Sequence, residues 1–452
     1  MRERRLAAVA EVVGGRVTGD DVTVIGVAVD SRDVRAGNLF VALRGERVDG
    51  NDFVGEAFGK GAAAALVDRE PDGGPCVVVP DTEAALRSLA VDERSSTSAT
   101  VVGITGSTGK TSAKDLTAAV LGIRFRVAAS PRSFNTEVGV PVTLLNAHPE
   151  AEVVVCEMGS RGPGHIAALT EVARPTVGVV TNVGPAHLEM FGSLGAVADA
   201  KAELVEALPS DGTAVLNADD EVVRGFAGRT AARPLLFGTD PGADVRAQDI
   251  RMDDKGHPSF TLRTPEGDER VELSVAGEHM VWNALAAGAC GVALGLTAGE
   301  CAAGLKDARL SAWRMEVIEA PGGYRIVNDA YNANPTSMAA ALKAAAWLAR
   351  GGRCIAVLGH MAEMGSFADE EHERTGELVA RLGIERLVVV GSPARRIAVG
   401  ATREGVEPDR VTVVETVEEA ARAVQEQVRQ GDVVLLKASR VVGLERLVEA
   451  LR

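Results

Sequence analysis

The stretch 101–116, VVGITGSTGKTSAKDL, limits what this chain can fold into more than any other. β-Favouring residues at 100–105 run into a turn bracketed by glycines, Gly106-Ser107-Thr108-Gly109. Lys110, Thr111 and Ser112 then open a helical pattern with apolar residues at Leu116, Val120 and Ile123. Strand, small-residue loop and helix in that order gather backbone N–H groups and a helix N-terminus around one point, which suits a chain of phosphates. Lys110 is placed to reach the outer phosphates, and the Thr111 hydroxyl to sit on Mg2+. The longer pattern GxxxxGK[ST] asks for Gly at position 104, where Ile104 stands, so the match is to a shorter GxxGKT form. A tight turn with a solvated lysine is the plain alternative, and the strand and helix signals on either side argue against it. The stretch implies a nucleoside-triphosphate site.

At 452 residues the chain should divide into about three domains. Aromatic residues are only 3% of the total against 46% hydrophobic, so Ala, Val and Leu must fill the cores. A net charge of −15 argues against a nucleic-acid partner or an anionic membrane surface. Any anionic substrate then needs local basic groups to hold it against the overall field. Five cysteines without CxxC spacing read as buried reduced thiols. No apolar run reaches transmembrane length, and the N-terminal run is broken by Glu11 without a cleavage pattern. A soluble cytoplasmic protein without membrane insertion is expected.

Residues 1–98 read as a small α/β unit. Leu6, Val9, Ala10 and Val13 share a helix face, 22–29 alternates as a strand, and Leu39-Phe40-Val41 forms a buried strand. The polar stretch 92–99, DERSSTSA, lacks a period and reads as a linker. In the second unit, 99–310, the apolar strand 152–155 leads to Glu157. A carboxylate at that end of a buried parallel strand, facing a phosphate loop, is where nucleotide enzymes hold Mg2+. His187 follows another strand end, which favours a role in the site. Lys201 falls on one helix face with Val197, Leu204, Val205 and Leu208, which is not the setting of an ordinary solvated lysine. Residues 240–275 read as short surface strands and turns. From 311 a fresh doubly wound unit runs to 452, with strands at 325–329, 353–359, 386–391, 410–414 and 432–438. Its strand ends carry Asp329, the 359–365 loop and Lys437 to Arg440. Such ends face a ligand crevice, although loop decoration fits Arg440 better than Asp329. The fold class is α/β in three domains: a small α/β N-terminal domain, a central P-loop ATPase-like domain with a mostly parallel sheet, and a C-terminal Rossmann-like domain.

Seven segments together, TGSTGKTS, CEMG, TNVGPAHLE, ADAKAEL, GEHMVWNALAA, WRMEV and NDAYNANPTSM, resemble the Mur ligases, the ATP-dependent amide ligases of peptidoglycan synthesis. The resemblance runs along essentially the whole chain. It implies that Gly106, Ser107, Thr108, Gly109, Lys110, Thr111 and Ser112 bind ATP, with Asn283, Arg314 and Asp329 sharing adenine, phosphate and ribose. It implies two Mg2+ ions, one on Thr111 and Glu157 and one on His187 and a carboxylated Lys201, with Lys110, Glu157, His187 and Lys201 catalytic. The N-terminal VDSRDVRAGNLFVALRGERVDGNDF is similar to the unit that holds the UDP end of the precursor, which brings Ser31, Arg32 and Arg44 to the substrate. SFNTEVGVP, NDAYNANPTSM and GHMAEMG resemble the branch that adds D-alanyl-D-alanine, with Asn135, Thr136, Tyr331, Asn332 and Asn334 at the substrates. The implied partners are UDP-N-acetylmuramoyl-tripeptide and D-alanyl-D-alanine, joined through an acyl phosphate by a monomer. Three positions depart from the family pattern: His360 for the usual Asp, Asn51 for His and Met280 for Asn. The competing readings are the diamino-acid-adding Mur ligase, a folylpolyglutamate synthase-like ligase and a non-ligase ATPase switch. The acceptor motif argues against the first and the N-terminal unit against the second; dependence of ATP hydrolysis on a carboxylate substrate separates the third.

Overall fold

Three open sheets and a two-stranded ribbon carry the fold, and each open sheet is built from a consecutive stretch of chain. The computed structural model describes residues 1–45, 48–186 and 188–452. In the N-terminal sheet the order is Arg16–Thr18, Cys76–Val78, Ala64–Val67, Leu39–Val41, Val27–Ala28, parallel except for the first pair. The strand expected over 22–29 is two short pieces: Thr23–Val24 pairs with Arg4–Arg5, and Val27–Ala28 joins the open sheet. Asn146 fastens that sheet edge to the central unit, its side chain accepting from Val27 N at 2.8 Å and donating to Val27 O at 2.9 Å.

The linker expected at 92–99 is too long. Helix Thr82–Ser95 runs through its first half, capped by the Asp81 side chain accepting from Glu83 N and Ala84 N. The charged residues that gave the segment its linker-like composition are used inside the unit. Glu93 is buried, paired with Arg4 Nη2 at 2.6 Å, and accepts from Arg2 N at 3.0 Å.

The central sheet runs Gly267–Glu272, Pro258–Thr264, Val245–Met252, Arg233–Gly238, Thr213–Asn217, Val177–Val180, Thr100–Thr105, Val153–Glu157, Val127–Ala129. Its first two neighbouring pairs are antiparallel and the remainder parallel. Region 240–275 therefore extends the sheet rather than decorating the surface. Val245, Ala247, Phe260, Leu262 and Val271 are buried at alternating positions, and the polar residues between them hid that pattern in a short window. The C-terminal sheet runs Glu316–Glu319, Arg325–Asn328, Val433–Lys437, Cys354–Gly359, Arg386–Val390, Val411–Val414, parallel after the first pair. Glu316–Glu319 is an edge strand outside the sequence reading; its charged residues suit an edge open to water.

The cores are continuous across the units. One joins Leu6, Leu39 and Leu66 to Val101, Leu145 and Val154 of the central unit. Another joins Val102 and Ile104 to Leu342, Leu358 and Leu435 of the C-terminal unit. Trp347 crosses the same seam, donating Nε1–H to Asp253 O at 3.2 Å.

Helices Ala368–Arg381 and Arg395–Arg403 touch through backbone. A Cβ on Gly376 would lie 2.0 Å from Ile397 O, and one on Gly400 would lie 2.0 Å from Glu373 O. Gly400→Ala is expected to cost about 1–3 kcal/mol through overpacking, read as a lower urea midpoint. Gly55→Ala, in helix Val54–Gly59 with nothing within 4 Å, is the control and should be neutral or stabilising. Equal midpoints for the two variants would contradict the close helix contact.

Candidate active site

The parallel strands of the central and C-terminal sheets end at a cleft of about 840 Å³ between the two units. The phosphate loop forms its floor. Gly106 and Gly109 have φ of 142° and 80°; a Cβ would lie 2.0 Å from Thr181 Oγ1 at the first and 2.4 Å from Asn283 Oδ1 at the second. Ser107 N donates to Asn182 O and Thr108 N to Asn182 Oδ1, both at 2.9 Å, and Thr181 Oγ1 donates to Thr108 O at 2.6 Å. Helix Lys110–Leu121 starts at Gly109 with no side-chain cap, which leaves first-turn N–H groups for a ligand in the cleft. Lys110 Nζ donates to Gly106 O at 2.7 Å. Burial lowers its pKa, with Glu157 opposing and Arg314 reinforcing the shift.

Glu157 is 1% exposed at the end of its strand. It accepts from Thr111 Oγ1 at 2.9 Å and from Asn135 Nδ2 at 2.8 Å. Arg314, from the C-terminal unit, reaches the same point: Nη2 donates to Thr111 Oγ1 at 2.9 Å and to Ser133 Oγ at 3.3 Å, and its guanidinium lies 4.0 Å from the Tyr331 ring centroid. Its neighbours Trp313 and Met315 have φ of 62° and 51°, left-handed values that non-glycine residues adopt at a cost. A carboxylate beside a hydroxyl is a hard-oxygen donor set of the kind Mg2+ prefers. Among the described residues no cluster of three His, Cys, Asp or Glu side chains gathers for a metal.

Lys201 is 2% exposed, and its Nζ donates to Ser160 Oγ at 2.7 Å. Burial holds its pKa well below the usual lysine value, Lys110 adds to the shift, and Glu203 opposes it. Glu203 is itself engaged by Gly164 N at 2.6 Å and Ala167 N at 2.9 Å. Across the cleft, Lys437 Nζ lies 2.5 Å from Asp329 Oδ2 and donates to Asn332 O at 3.1 Å. Asp329 Oδ1 accepts from Met315 N at 3.1 Å. Burial lowers the Lys437 pKa against Asp329, and burial pushes His279 down to about 4. Trp282 Nε1–H donates to Asp219 Oδ2 at 2.7 Å along the same wall.

Most of the expected site residues therefore meet in one space. Ser107, Thr108, Gly109, Lys110, Thr111, Ser112, Asn135, Thr136, Glu157, Asn283, Arg314, Asp329, Tyr331, Asn332 and Asn334 line the cleft, and Gly106 lies just behind them, its carbonyl accepting from Lys110. The Asn334 side chain also caps helix Pro335–Leu348, accepting from Ser337 N. Lys201 lies behind the lining, next to Ser160, and His187 is outside the described residues. A second cavity, about 690 Å³, separates the N-terminal and central units, and Arg32 lines it. Ser31 and Arg44 do not; Arg44 is paired with Asp68 at 3.1 Å. The three departures from the family pattern have local contacts, although His360 Nδ1 and Asn51 Oδ1 are buried without a hydrogen-bond partner among the described residues. His360 stacks on His372 at 5.3 Å, Asn51 Nδ2 donates to Asp49 Oδ1, and Met280 Sδ accepts from Asn283 Nδ2 at 3.5 Å.

Sequence reasoning placed Lys437 at a strand end facing the crevice but gave it no role in the site, although a lysine closing the apolar run VVLLK was a usable signal. It also did not single out Arg35, which lies within the motif read for the UDP end, or Arg132; both line the second cavity. Arg440, read as decoration, lines the main cleft and lies 4.2 Å from the Trp313 ring centroid.

Comparison with known proteins agrees with this geometry. Family models match over three segments: the Mur ligase family catalytic domain at 23–93, the Mur ligase middle domain at 104–291, and the Mur ligase glutamate ligase domain at 313–440. The UDP-N-acetylmuramoyl-tripeptide–D-alanyl-D-alanine ligase of Mycobacterium tuberculosis is 41% identical over 100% of this chain and 98% of that protein. The crystal structure of MurF from Acinetobacter baumannii superposes with a TM-score of 0.87 at 29% identity, covering 100% of this chain and 99% of the other. MurF ligase from Thermotoga maritima, solved in complex with ADP, gives 0.80 at 31% identity over 94% and 97%. Sequence and fold agree from end to end, and the chain belongs to the Mur ligase family.

Proposed function

We propose that this chain joins D-alanyl-D-alanine to UDP-N-acetylmuramoyl-tripeptide at the expense of ATP, a step of peptidoglycan precursor synthesis. One observation carries the reading: the phosphate loop of the central unit and the Tyr331-Asn332-Asn334 segment of the C-terminal unit line the same cleft. Full-length similarity to ligases of that activity supports it.

The tripeptide's terminal carboxylate attacks the γ-phosphorus of ATP; a C–O–P bond forms and the bond to ADP breaks. The dipeptide amine then attacks the activated carbonyl, an amide bond forms, the amine loses a proton and phosphate leaves. The first step brings two anions together, so positive charge must be in place beforehand. Lys110, the uncapped helix N-terminus and the Arg314 guanidinium supply it. Thr111 and Glu157 have the donor chemistry to hold one Mg2+, and His187 with a carboxylated Lys201 would hold a second. When bound, the ions neutralise phosphate charge and polarise the reacting phosphoryl group. Asn283 and Asp329 flank the loop as candidates for the adenine and ribose. Ser31, Arg32 and Arg44 remain candidates for the UDP end, with Arg32 the one that lines the second cavity. Arg314 ties the C-terminal unit to Thr111, so closure of the cleft would exclude water from the acyl phosphate.

Lys201 is chemically prepared for carboxylation. Its amine is biased towards the neutral form, which attacks CO2; a C–N bond forms and one proton leaves, giving a carbamate anion. No helix among the described residues is long and apolar enough to cross a membrane. Full-length similarity to ligases of this precursor pathway supports a cytoplasmic enzyme, and a monomer is the proposed form.

Two experiments test this reading. With ATP, Mg2+ and UDP-N-acetylmuramoyl-tripeptide, product mass should report addition of D-alanyl-D-alanine and not of free diaminopimelate. Lys110→Ala should lower kcat by roughly 10²–10³-fold or more. ATP hydrolysis that proceeds undiminished without the tripeptide would make the chain an ATPase switch instead. For the lysine, protein equilibrated with isotope-labelled bicarbonate should give a carbamate carbon resonance that disappears in Lys201→Ala and on acidification. Short carboxylic acids should restore part of the activity lost in that variant. A wild-type spectrum without the resonance would remove the carbamate from the mechanism.

A further inference from the structure

Five cationic side chains line the cleft among the described residues: Lys110, Arg161, Arg314, Lys437 and Arg440. Three are committed. Lys110 donates to the loop carbonyl of Gly106, Arg314 to Thr111 and Ser133, and Lys437 to Asp329 and Asn332. Arg161 and Arg440 keep guanidinium donors without a protein partner among the described residues, and they stand on opposite walls. Arg161 follows Glu157 on the central unit, which shares the second cavity with the N-terminal unit. Arg440 follows Lys437 on the C-terminal unit.

The acceptor chemistry calls for a cation on the second of these walls. A dipeptide acceptor reacts through its amine, while its terminal carboxylate is a permanent anion that takes no part in bond formation. In a chain of net charge −15 that anion is repelled unless a local cation receives it. Arg440 stacks on Trp313, which fixes the plane of its guanidinium. Only Nη1 has a protein partner, Glu445 Oε1 at 3.0 Å. The other donors of the fork have none among the described residues, and a fork of this shape matches a carboxylate. Trp313 and Arg314 are consecutive, so the Arg440 stack lies one residue along from the guanidinium bound at Thr111. Val441 adds an independent sign. It is 80% exposed, the most exposed large apolar side chain described, and it lines the same cleft. An apolar group left in water beside an open guanidinium suits a ligand carrying a carboxylate next to a small apolar side chain.

We propose that Arg440 binds the terminal carboxylate of the acceptor dipeptide and that Val441 packs against its C-terminal methyl group. This rests on the acceptor being D-alanyl-D-alanine, and the test separates the two claims. Turnover of D-alanyl-D-alanine and of its C-terminal amide is compared for wild type, Arg440→Gln and Arg440→Lys, with ATP and precursor saturating. Wild type should favour the free carboxylate by about tenfold to a hundredfold in kcat/KM, the range of a charge-assisted hydrogen bond. Arg440→Gln should raise the KM for the dipeptide by a similar factor, leave the KM values for ATP and precursor unchanged, and lose the preference over the amide. Arg440→Lys should recover part of that preference. A merely structural role would lower the thermal midpoint and all three KM values would move together, with the preference intact; that pattern overturns the proposal. Equal use of the two acceptors by wild type overturns it without any variant. No turnover of D-alanyl-D-alanine by wild type overturns the underlying reading of the acceptor.

Discussion

The phosphate loop tolerates no side chain at two of its positions, and the remainder of the cleft is arranged around that restriction. Thr181 stands where a Cβ of Gly106 would be, and Asn283 stands where a Cβ of Gly109 would be. One comes from the end of a neighbouring strand and the other from helix Met280–Ala293. The loop's path is therefore set by two elements far apart in sequence. Thr111 then falls against Glu157 and within reach of Arg314, so three segments converge on one hydroxyl. The left-handed backbone on either side of Arg314 is the strain tolerated for that convergence.

The charge pattern around the loop follows the same logic. Lys110 lies close enough to Lys201 to disfavour a proton there, and burial lowers the pKa of both. Lys110 is offset by Glu157. Among the described residues Lys201 has only a serine hydroxyl hydrogen-bonded at its nitrogen, and Glu203 is held by the start of helix His165–Ala173. Each lysine thus has a carboxylate opposing the effect of burial, Glu157 for Lys110 and Glu203 for Lys201, but Glu203 is shared with backbone N–H groups.

What could be read from the sequence was local. Continuous apolar strands, the glycine-bracketed loop and a lysine on an apolar helix stripe each declare themselves within about a dozen residues, and the structure has all three. The last turn of helix Thr82–Ser95 reads as a linker in sequence because its charged residues resemble one, whereas Glu93 is consumed by Arg4 near the N-terminus. Edge strand Glu316–Glu319 and the hairpins of 240–275 were missed or misplaced because half their residues face water. The second cavity was illegible for a different reason. Arg32 and Arg132 reach it from segments a hundred residues apart, and no window of sequence contains both. Arg44 illustrates the converse: in an acidic chain a conspicuous arginine is captured by a nearby Asp68.

The chain has only three tryptophans, and the seam between the central and C-terminal units claims all of them. Trp282 is tied to Asp219 on the cleft wall, Trp313 lies beneath Arg440, and Trp347 crosses the seam to Asp253. The cores hold phenylalanines and Tyr324 but no tryptophan, so excitation at the long-wavelength edge of the tryptophan band leaves them silent. The intrinsic fluorescence of this protein is thus a readout of one seam rather than of the whole fold. Opening, closing and filling of the cleft can be followed in the unmodified chain, with no dye attached.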